Sequence, residues 1–170
     1  MQAEGMSDLL PPEIVDLARR VVEENAKLGR QVVLAESCTG GLVAAALTEI
    51  PGSSAVLERG FVTYSNAAKQ SDLGVSSEII ETFGAVSVAC VWAMAQGALK
   101  NSNADVAVAI SGVAGPGGGT LHKPVGTVVF ARATRDDEID PEGDLRHFDG
   151  EDRSAIRRQA TLAALELLLP

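Results

Sequence analysis

Short runs of strand length alternate with helical segments along this chain, and two of the runs end in glycine-rich turns. Residues 31–35 read Gln-Val-Val-Leu-Ala, and the turn Glu36-Ser-Cys-Thr-Gly-Gly41 follows directly, before an Ala- and Leu-rich stretch. Residues 104–110 form an apolar run with little alternation, which is typical of a central strand covered on both faces. The glycine-rich loop from Ser111 to Thr120 comes next. Strands that alternate with helices predict an α/β domain.

The remaining segments extend this pattern into a three-layer α/β/α sandwich with a mixed, mostly parallel sheet of about five strands. The last two strands are joined by an exposed acidic loop, residues 135–143, instead of a helix, which predicts an antiparallel edge. A chain of 170 residues is long enough for one substantial core and too short for two ordinary domains. We therefore predict an amino-terminal extension over residues 1–11 and a single domain over residues 12–170. Predicted helices cover residues 12–28, 42–50, 66–73, 87–100 and 152 onward, with another beginning at Ser76 or Ser77; predicted strands cover 31–35, 61–64, 104–110, 125–133 and 145–148.

Charge and composition exclude several classes of function. The chain carries 14 Lys plus Arg against 23 Asp plus Glu, a formal net charge of -9, without a basic stripe. This balance disfavours sequence-independent binding to nucleic acid or to an anionic membrane. Because Cys38 and Cys90 are the only cysteines and no signal peptide is recognisable, we predict a reduced, cytoplasmic protein. Neither CxxC nor HExxH spacing occurs, so no metal site is predicted.

The first glycine-rich turn places a nucleophile between a strand and a helix. Ser37 lies in this turn, and the amides of Gly40 and Gly41 follow it at a helix amino terminus, where they can stabilise an anion or an oxyanion. The alternative is that Ser37 and Thr39 only cap the helix. Cys38 is a second possible nucleophile, although a small thiol packed into the core is the simpler interpretation.

A serine nucleophile needs a base, and the residues leave several candidates. His122 and His147 both lie near strand ends, but no Asp partner is identifiable for either. Lys69 follows the second predicted strand on a short helix that Asn66 could cap, near the strand end that carries Tyr64. To accept a proton, Lys69 must be buried enough to pull its pKa well below about 10.4. The alternative is a solvated lysine on the helix surface.

Two arginines at the start of the last helix need an explanation, because the helix dipole disfavours positive charge there. Arg153 and Arg157 are one helical turn apart and can bind an anionic group together. The alternative is that they pair with Asp149, Glu151 or Asp152.

Five sequence blocks, in order, give the chain a specific resemblance that covers residues 12–168. The blocks are Ala35-Glu-Ser-Cys-Thr-Gly-Gly41, Thr63-Tyr-Ser-Asn-x-x-Lys69, Ser111-Gly-Val-Ala-Gly-Pro-x-Gly-Gly-Thr120, Lys123-Pro-Val-Gly-Thr127 and Gly150-x-x-Arg153-x-x-x-Arg157. With these blocks the chain resembles the CinA carboxy-terminal domain family, which includes stand-alone nicotinamide-mononucleotide amidohydrolases and domains fused behind a larger amino-terminal domain in competence and damage-inducible proteins. The resemblance implies a mixed-sheet α/β/α sandwich, and we expect the stand-alone form.

The resemblance also implies an activity: hydrolysis of the carboxamide of nicotinamide mononucleotide to nicotinic acid mononucleotide and ammonia, as part of pyridine nucleotide recycling. Ser37 is then the nucleophile, Lys69 the base, and Tyr64 a residue that orients one of them, with no cofactor and no metal. We expect a homo-oligomer, with a dimer favoured. The alternatives are a non-catalytic interaction module and a nucleotide-binding protein. The residues expected to bind the substrate are Thr39, Gly40, Gly41, Asn66, Ser111, Gly112, Gly115, Arg153 and Arg157.

Overall fold

A computed structural model describes residues 7–135, 142–150 and 152–170, and it has the predicted α/β architecture. Residues 1–6 of the predicted extension and residues 136–141 of the predicted acidic loop lie outside the described residues. The helices are α1 (Pro12–Lys27), α2 (Leu42–Thr48), α3 (Asn66–Leu73), α4 (Ser77–Phe83), α5 (Val88–Lys100) and α6 (Arg153–Leu168), with a short 3-10 turn at Ser53–Ala55. The strands are β1 (Val32–Glu36), β2 (Leu57–Val62), β3 (Val106–Gly112), β4 (Thr127–Thr134) and β5 (Glu142–His147).

The five strands form one mixed sheet in the order β2-β1-β3-β4-β5, which confirms the predicted fold class. Strands β2, β1 and β3 are parallel neighbours, whereas β4 runs antiparallel to both β3 and β5. Because the glycine-rich loop connects β3 to β4 without a helix, the chain turns back directly into an antiparallel neighbour.

Helices cover both faces of the sheet, and each face has its own apolar core. Helices α1, α2 and α6 pack on one face, where the apolar stripe of α1 includes Val15, Ala18 and Val22. Helices α3, α4 and α5 pack on the other face around Val91 and Met94. No helix in the described part of the chain is both long and apolar enough to span a membrane.

The starts of strands β2, β4 and β5 differ from the predictions where the backbone is exposed or turns, and β3 covers Val106–Gly112 instead of residues 104–110. Strand β2 begins at Leu57 instead of Phe61, because this edge strand has a polar and partly exposed sequence that hides its period. Strand β5 begins at Glu142 instead of Leu145, since it is the other, largely exposed edge. Strand β4 begins at Thr127, two residues later than predicted, because Gly126 has a φ of 95° that extended backbone does not adopt.

The topology gathers the ends of three strands at one edge of the sheet. Glu36, the last residue of β1, lies opposite Ile110 of β3, and the next amide, that of Ser37, donates to the Ile110 carbonyl at 2.9 Å. The Thr63 amide, just past β2, donates to the Glu36 carbonyl at 2.9 Å. The carboxyl ends of parallel strands form the usual ligand site of open α/β sheets, so this edge is where a functional site is expected.

Candidate active site

Ser37 and Lys69 are in direct contact. The Lys69 Nζ lies 3.0 Å from the Ser37 Oγ, although 32 residues separate the two in the chain. Both side chains are buried: Lys69 is 1% exposed and Ser37 is 6% exposed. The turn after β1 carries the serine and the first half of α3 carries the lysine, so the convergence of β1 and β2 brings them together.

The surroundings of Lys69 favour a neutral amine. Its Nζ also donates to the main-chain carbonyls of Thr63 at 2.8 Å and Tyr64 at 3.1 Å. Lys69 takes part in none of the ion pairs found among the described residues. Burial lowers the pKa of Lys69 below its usual value of 10.5. A neutral amine can donate its two hydrogens to the two carbonyls and turn its lone pair to the Ser37 hydroxyl, which is the arrangement that a general base needs.

The turn that carries Ser37 is anchored by Glu36, a residue that the sequence reasoning missed. The Glu36 carboxylate is 1% exposed and accepts from the Thr39 hydroxyl at 2.7 Å. It also accepts from the amides of Val43 at 3.0 Å and Ala44 at 3.1 Å. An acid at the end of an apolar strand, directly before a glycine turn and a helix, is a signal that could have identified it.

This arrangement corrects the predicted roles of Thr39 and Gly40. Helix α2 has Gly41 at its N-cap and no side-chain cap from Thr39, whose hydroxyl donates to Glu36 instead. The Gly40 amide donates to the Ser37 carbonyl at 3.0 Å, so it closes the turn and is not available to an oxyanion. Gly40 and Gly41 have φ values of 59° and 99°, which explains why the turn needs glycine at both positions.

A cavity of about 230 Å³ opens beside this turn. The β3–β4 loop supplies one wall, including Gly112 and Gly115, and Cys38, Tyr64 and Arg153 complete the lining. An added Cβ at Gly115 would lie 2.5 Å from Val125, so the loop can take this path only with glycine there. The two glycine-rich segments therefore do adjoin, but it is Cys38 of the first segment that lines the cavity.

Tyr64 contacts Lys69 through its backbone and lines the cavity. Its carbonyl accepts from Lys69, whereas its ring is 62% exposed and its hydroxyl accepts from Arg153 Nη2 at 2.8 Å. Arg153 Nη1 donates to the Gly115 carbonyl at 2.7 Å, so the arginine links the two walls. A guanidinium held at the rim in this way can meet an anionic group of a ligand.

Arg153 and Arg157 of α6 do not pair with the neighbouring acids that the structure describes. Asp152 caps α6, accepting from the Ala155 amide at 2.8 Å, and neither Arg153 nor Arg157 forms an ion pair in the described part of the chain. Arg157 instead donates to the carbonyls of Cys38 at 3.1 Å and Thr39 at 3.4 Å.

Several predicted residues lie away from the cavity. Asn66 is exposed as the first residue of α3, and Ser65, not Asn66, caps that helix. Ser111 is 2% exposed within β3 and does not line the cavity. His122 is exposed, and His147 lies 3.2 Å from the Thr127 hydroxyl, so of the three candidate bases it is Lys69 that contacts Ser37.

The Cys38 thiol packs into the core and is a poor nucleophile. The residue is 4% exposed, and burial raises the pKa of the thiol to about 11. At neutral pH it is therefore protonated, whereas thiol attack requires the thiolate. Cys90 is fully buried in α5, and both cysteines are free. No group of three or more His, Cys, Asp or Glu side chains suited to a metal ion occurs within the described ranges.

Comparison with known proteins identifies the family. The CinA C-terminal domain profile matches residues 14–170. The chain belongs to the CinA C-terminal domain family. It is 52% identical over 158 residues to the nicotinamide-nucleotide amidohydrolase PncC of Escherichia coli strain K12, covering 92% of this chain and 93% of that protein.

Other members of the CinA C-terminal domain family agree with this assignment. A CinA-like protein of Akkermansia muciniphila is 48% identical over 95% of this chain, but the match covers only 38% of that longer protein. The crystal structure of the competence/damage inducible protein CihA from Agrobacterium tumefaciens superimposes with a TM-score of 0.91 at 50% identity, covering 96% of this chain and 97% of that one.

Proposed function

We propose that this protein hydrolyses the carboxamide of nicotinamide mononucleotide, with Ser37 as nucleophile and Lys69 as general base. The 3.0 Å contact between Lys69 Nζ and Ser37 Oγ is the observation that carries the mechanism. The close relatives, about 52% identical over most of the chain, make it an amidohydrolase and supply the substrate class. Among the described residues, Lys69 and not a histidine forms a hydrogen bond with the serine, so the lysine is the group available to activate it.

The reaction runs through an acyl-enzyme. Neutral Lys69 accepts the Ser37 proton as the Oγ attacks the amide carbon, and the carbonyl oxygen becomes an oxyanion. Lys69 then gives that proton to the departing nitrogen, which leaves as ammonia. Water then attacks the ester as Lys69 accepts its proton, the acyl C–Oγ bond breaks, and Lys69 returns that proton to the Ser37 Oγ as nicotinic acid mononucleotide is released. Gly115 lines the cavity and its amide takes part in none of the main-chain hydrogen bonds found among the described residues, so it is a candidate donor to the oxyanion.

Arg153 is suited to hold the substrate phosphate. It lines the cavity, is exposed, and forms no ion pair with a carboxylate in the described ranges. A guanidinium binds phosphate with paired, charge-assisted hydrogen bonds. This placement also explains how an acidic chain can accept an anionic nucleotide. Pyridine nucleotide recycling, a cytoplasmic location, a homodimer and the absence of nucleic-acid binding remain predictions.

An ammonia-release assay tests this function. The purified protein is incubated with nicotinamide mononucleotide, nicotinamide riboside and simple amides, and ammonia and nicotinic acid mononucleotide are quantified together. We expect stoichiometric formation of both products from the mononucleotide. Binding without turnover would instead favour the interaction module or the nucleotide-binding protein.

The pH dependence of turnover should report the pKa of Lys69. Only the neutral amine accepts a proton, so kcat/KM is expected to rise with pH and to level off above the pKa of Lys69. Because burial lowers this pKa, the midpoint should fall below the usual lysine value of 10.5. Measurements start at pH 7, above the phosphate pKa of about 6, and subtract an enzyme-free blank at every pH. A rate that falls across this range would contradict a lysine base.

Removing the guanidinium of Arg153 should weaken substrate binding more than chemistry. Hydrogen bonds to charged groups contribute about 1.5–3 kcal/mol, so Arg153→Gln is expected to raise KM for nicotinamide mononucleotide by about tenfold to 100-fold. Nicotinamide riboside is the matched control, because it lacks the phosphate and its kcat/KM should change little. An equal loss of kcat/KM for both substrates would contradict a role in phosphate binding.

A further inference from the structure

We infer that Arg157 positions the turn that carries the nucleophile and is not a ligand of the substrate phosphate. The inference rests on the proposed function, since Ser37 is taken as the nucleophile. It differs from the sequence-based prediction, in which Arg153 and Arg157 share one anion. The two arginines are one helical turn apart, but the structure gives them different partners.

The Arg157 guanidinium donates its hydrogen bonds, among the described residues, to the backbone of the turn. Its Nε donates to the Cys38 carbonyl at 3.1 Å, and its Nη2 donates to the Thr39 carbonyl at 3.4 Å. An added Cβ on Gly40 would lie 3.4 Å from Nη2, so the guanidinium packs directly against the turn. Arg157 is half-buried, whereas Arg153 is exposed at the cavity.

These contacts fix the direction of two peptide groups. In a trans peptide the carbonyl and the following amide point in opposite directions, so a Cys38 carbonyl held by Arg157 turns the Thr39 amide away from the arginine. In the same way, the Thr39 carbonyl held by Arg157 turns the Gly40 amide away from the arginine. That amide donates to the Ser37 carbonyl at 3.0 Å. Arg157 thereby stabilises the turn conformation that places the Ser37 hydroxyl against Lys69.

A second charged group, the Glu36 carboxylate, also stabilises this turn, through hydrogen-bond donors instead of carbonyls. The Glu36 carboxylate accepts hydrogen bonds from the Thr39 hydroxyl and from the amides of Val43 and Ala44. Arg157 instead donates to the carbonyls of Cys38 and Thr39. A buried anion and a half-buried cation thus bind complementary groups of one short segment. Such paired anchoring is what keeps a reacting group in place, and a displacement of about 1 Å can cost about 100-fold in rate.

The location of Arg157 separates it from the substrate cavity. It does not line the 230 Å³ cavity that contains Tyr64 and Arg153. It lines a different depression of about 190 Å³, together with Leu10, Ile14 and the neighbouring Arg158. A phosphate bound beside Arg153 therefore lies in the cavity, whereas Arg157 lies in a different depression and does not contact that phosphate.

The test compares Arg157→Gln and Arg157→Lys with Arg158→Gln, a matched control on the same depression whose side chain is exposed and does not contact the turn. Three quantities are measured for each: kcat and KM for nicotinamide mononucleotide, the preference for that substrate over nicotinamide riboside, and the rate at which a fluorophosphonate labels Ser37, located by mass spectrometry. Thermal denaturation of each variant checks the fold.

For Arg157→Gln we expect a fall in kcat of about 100-fold, a KM close to that of the wild type, and an unchanged preference for the mononucleotide. The labelling rate should fall in parallel, and Arg157→Lys should recover part of both rates, because an ammonium can still donate to one carbonyl. If Arg157→Gln fails to fold, Arg157→Lys carries the same comparison.

Two results would overturn the inference: a raised KM with lost preference for the phosphorylated substrate, or a labelling rate equal to that of Arg158→Gln. The labelling arm does not depend on the natural substrate. A wild type that reacts with the fluorophosphonate but releases no ammonia from the mononucleotide therefore refutes the proposed function while still testing Arg157.

Discussion

Ser37→Ala is expected to abolish ammonia release from nicotinamide mononucleotide, with kcat reduced by about 10⁴-fold or more. The Ser37 hydroxyl lies 3.0 Å from Lys69 Nζ, and alanine leaves the amine without a proton to accept. The fold should persist, because the backbone amide of residue 37 still donates to the Ile110 carbonyl and the turn keeps its Glu36 and Arg157 contacts. Steady-state kinetics and thermal denaturation measure the two effects separately.

Cys38→Ala is the matched control for Ser37→Ala. Both variants remove one polar atom from adjacent residues of the same turn, so any general disturbance of the turn affects both. A serine mechanism predicts that Cys38→Ala retains most of its turnover, since the thiol is buried with a pKa raised to about 11. Loss of activity in Cys38→Ala together with activity in Ser37→Ala would reverse the assignment to the thiol.

Lys69→Met is the second variant expected to lose turnover almost completely. Methionine has a similar length and fits an apolar site, but it cannot accept the Ser37 proton, and general acid–base groups contribute typically about 10²–10⁴-fold. Substrate binding should be largely kept, since Lys69 contacts Ser37, Thr63 and Tyr64 and is not part of the cavity lining. Lys100→Met, which changes an exposed lysine at the end of α5, controls for the loss of a positive charge. Near-normal turnover in Lys69→Met would remove the lysine from the mechanism.

The same variant gives a stability test of the buried amine. Burial lowers the pKa of Lys69 in the folded state, so between that pKa and 10.5 the unfolded chain binds more protons than the folded one. The free energy of unfolding of the wild type should therefore gain a contribution that rises with pH across this window. Lys69→Met should lose that rise in urea titrations at several pH values, whereas Lys100→Met should keep it.

Much of the fold could be predicted because its signals are local. The wholly buried strands β1 and β3 show continuous apolar runs, and the helices show their period and their Ser or Pro starts. The predicted starts of the edge strands β2 and β5 differ from the observed starts by several residues, because a strand with exposed side chains has no regular apolar pattern. The two glycine-rich turns of the site are recognisable from the sequence. The role of the Glu36 carboxylate is not, because it depends on where α2 begins.

The sequence alone determined the order of the elements, the two glycine-rich turns at strand ends and the membership in one family, because periodicity and motif spacing are properties of neighbouring residues. Only the tertiary structure decided which groups act together. The parallel register of β1 and β2 sets Lys69 against Ser37 across 32 residues, and it buries the amine so that its pKa falls. The direction of the α6 side chains sends Arg153 to the cavity and Arg157 to the back of the turn, since adjacent turns of one helix can face different neighbours.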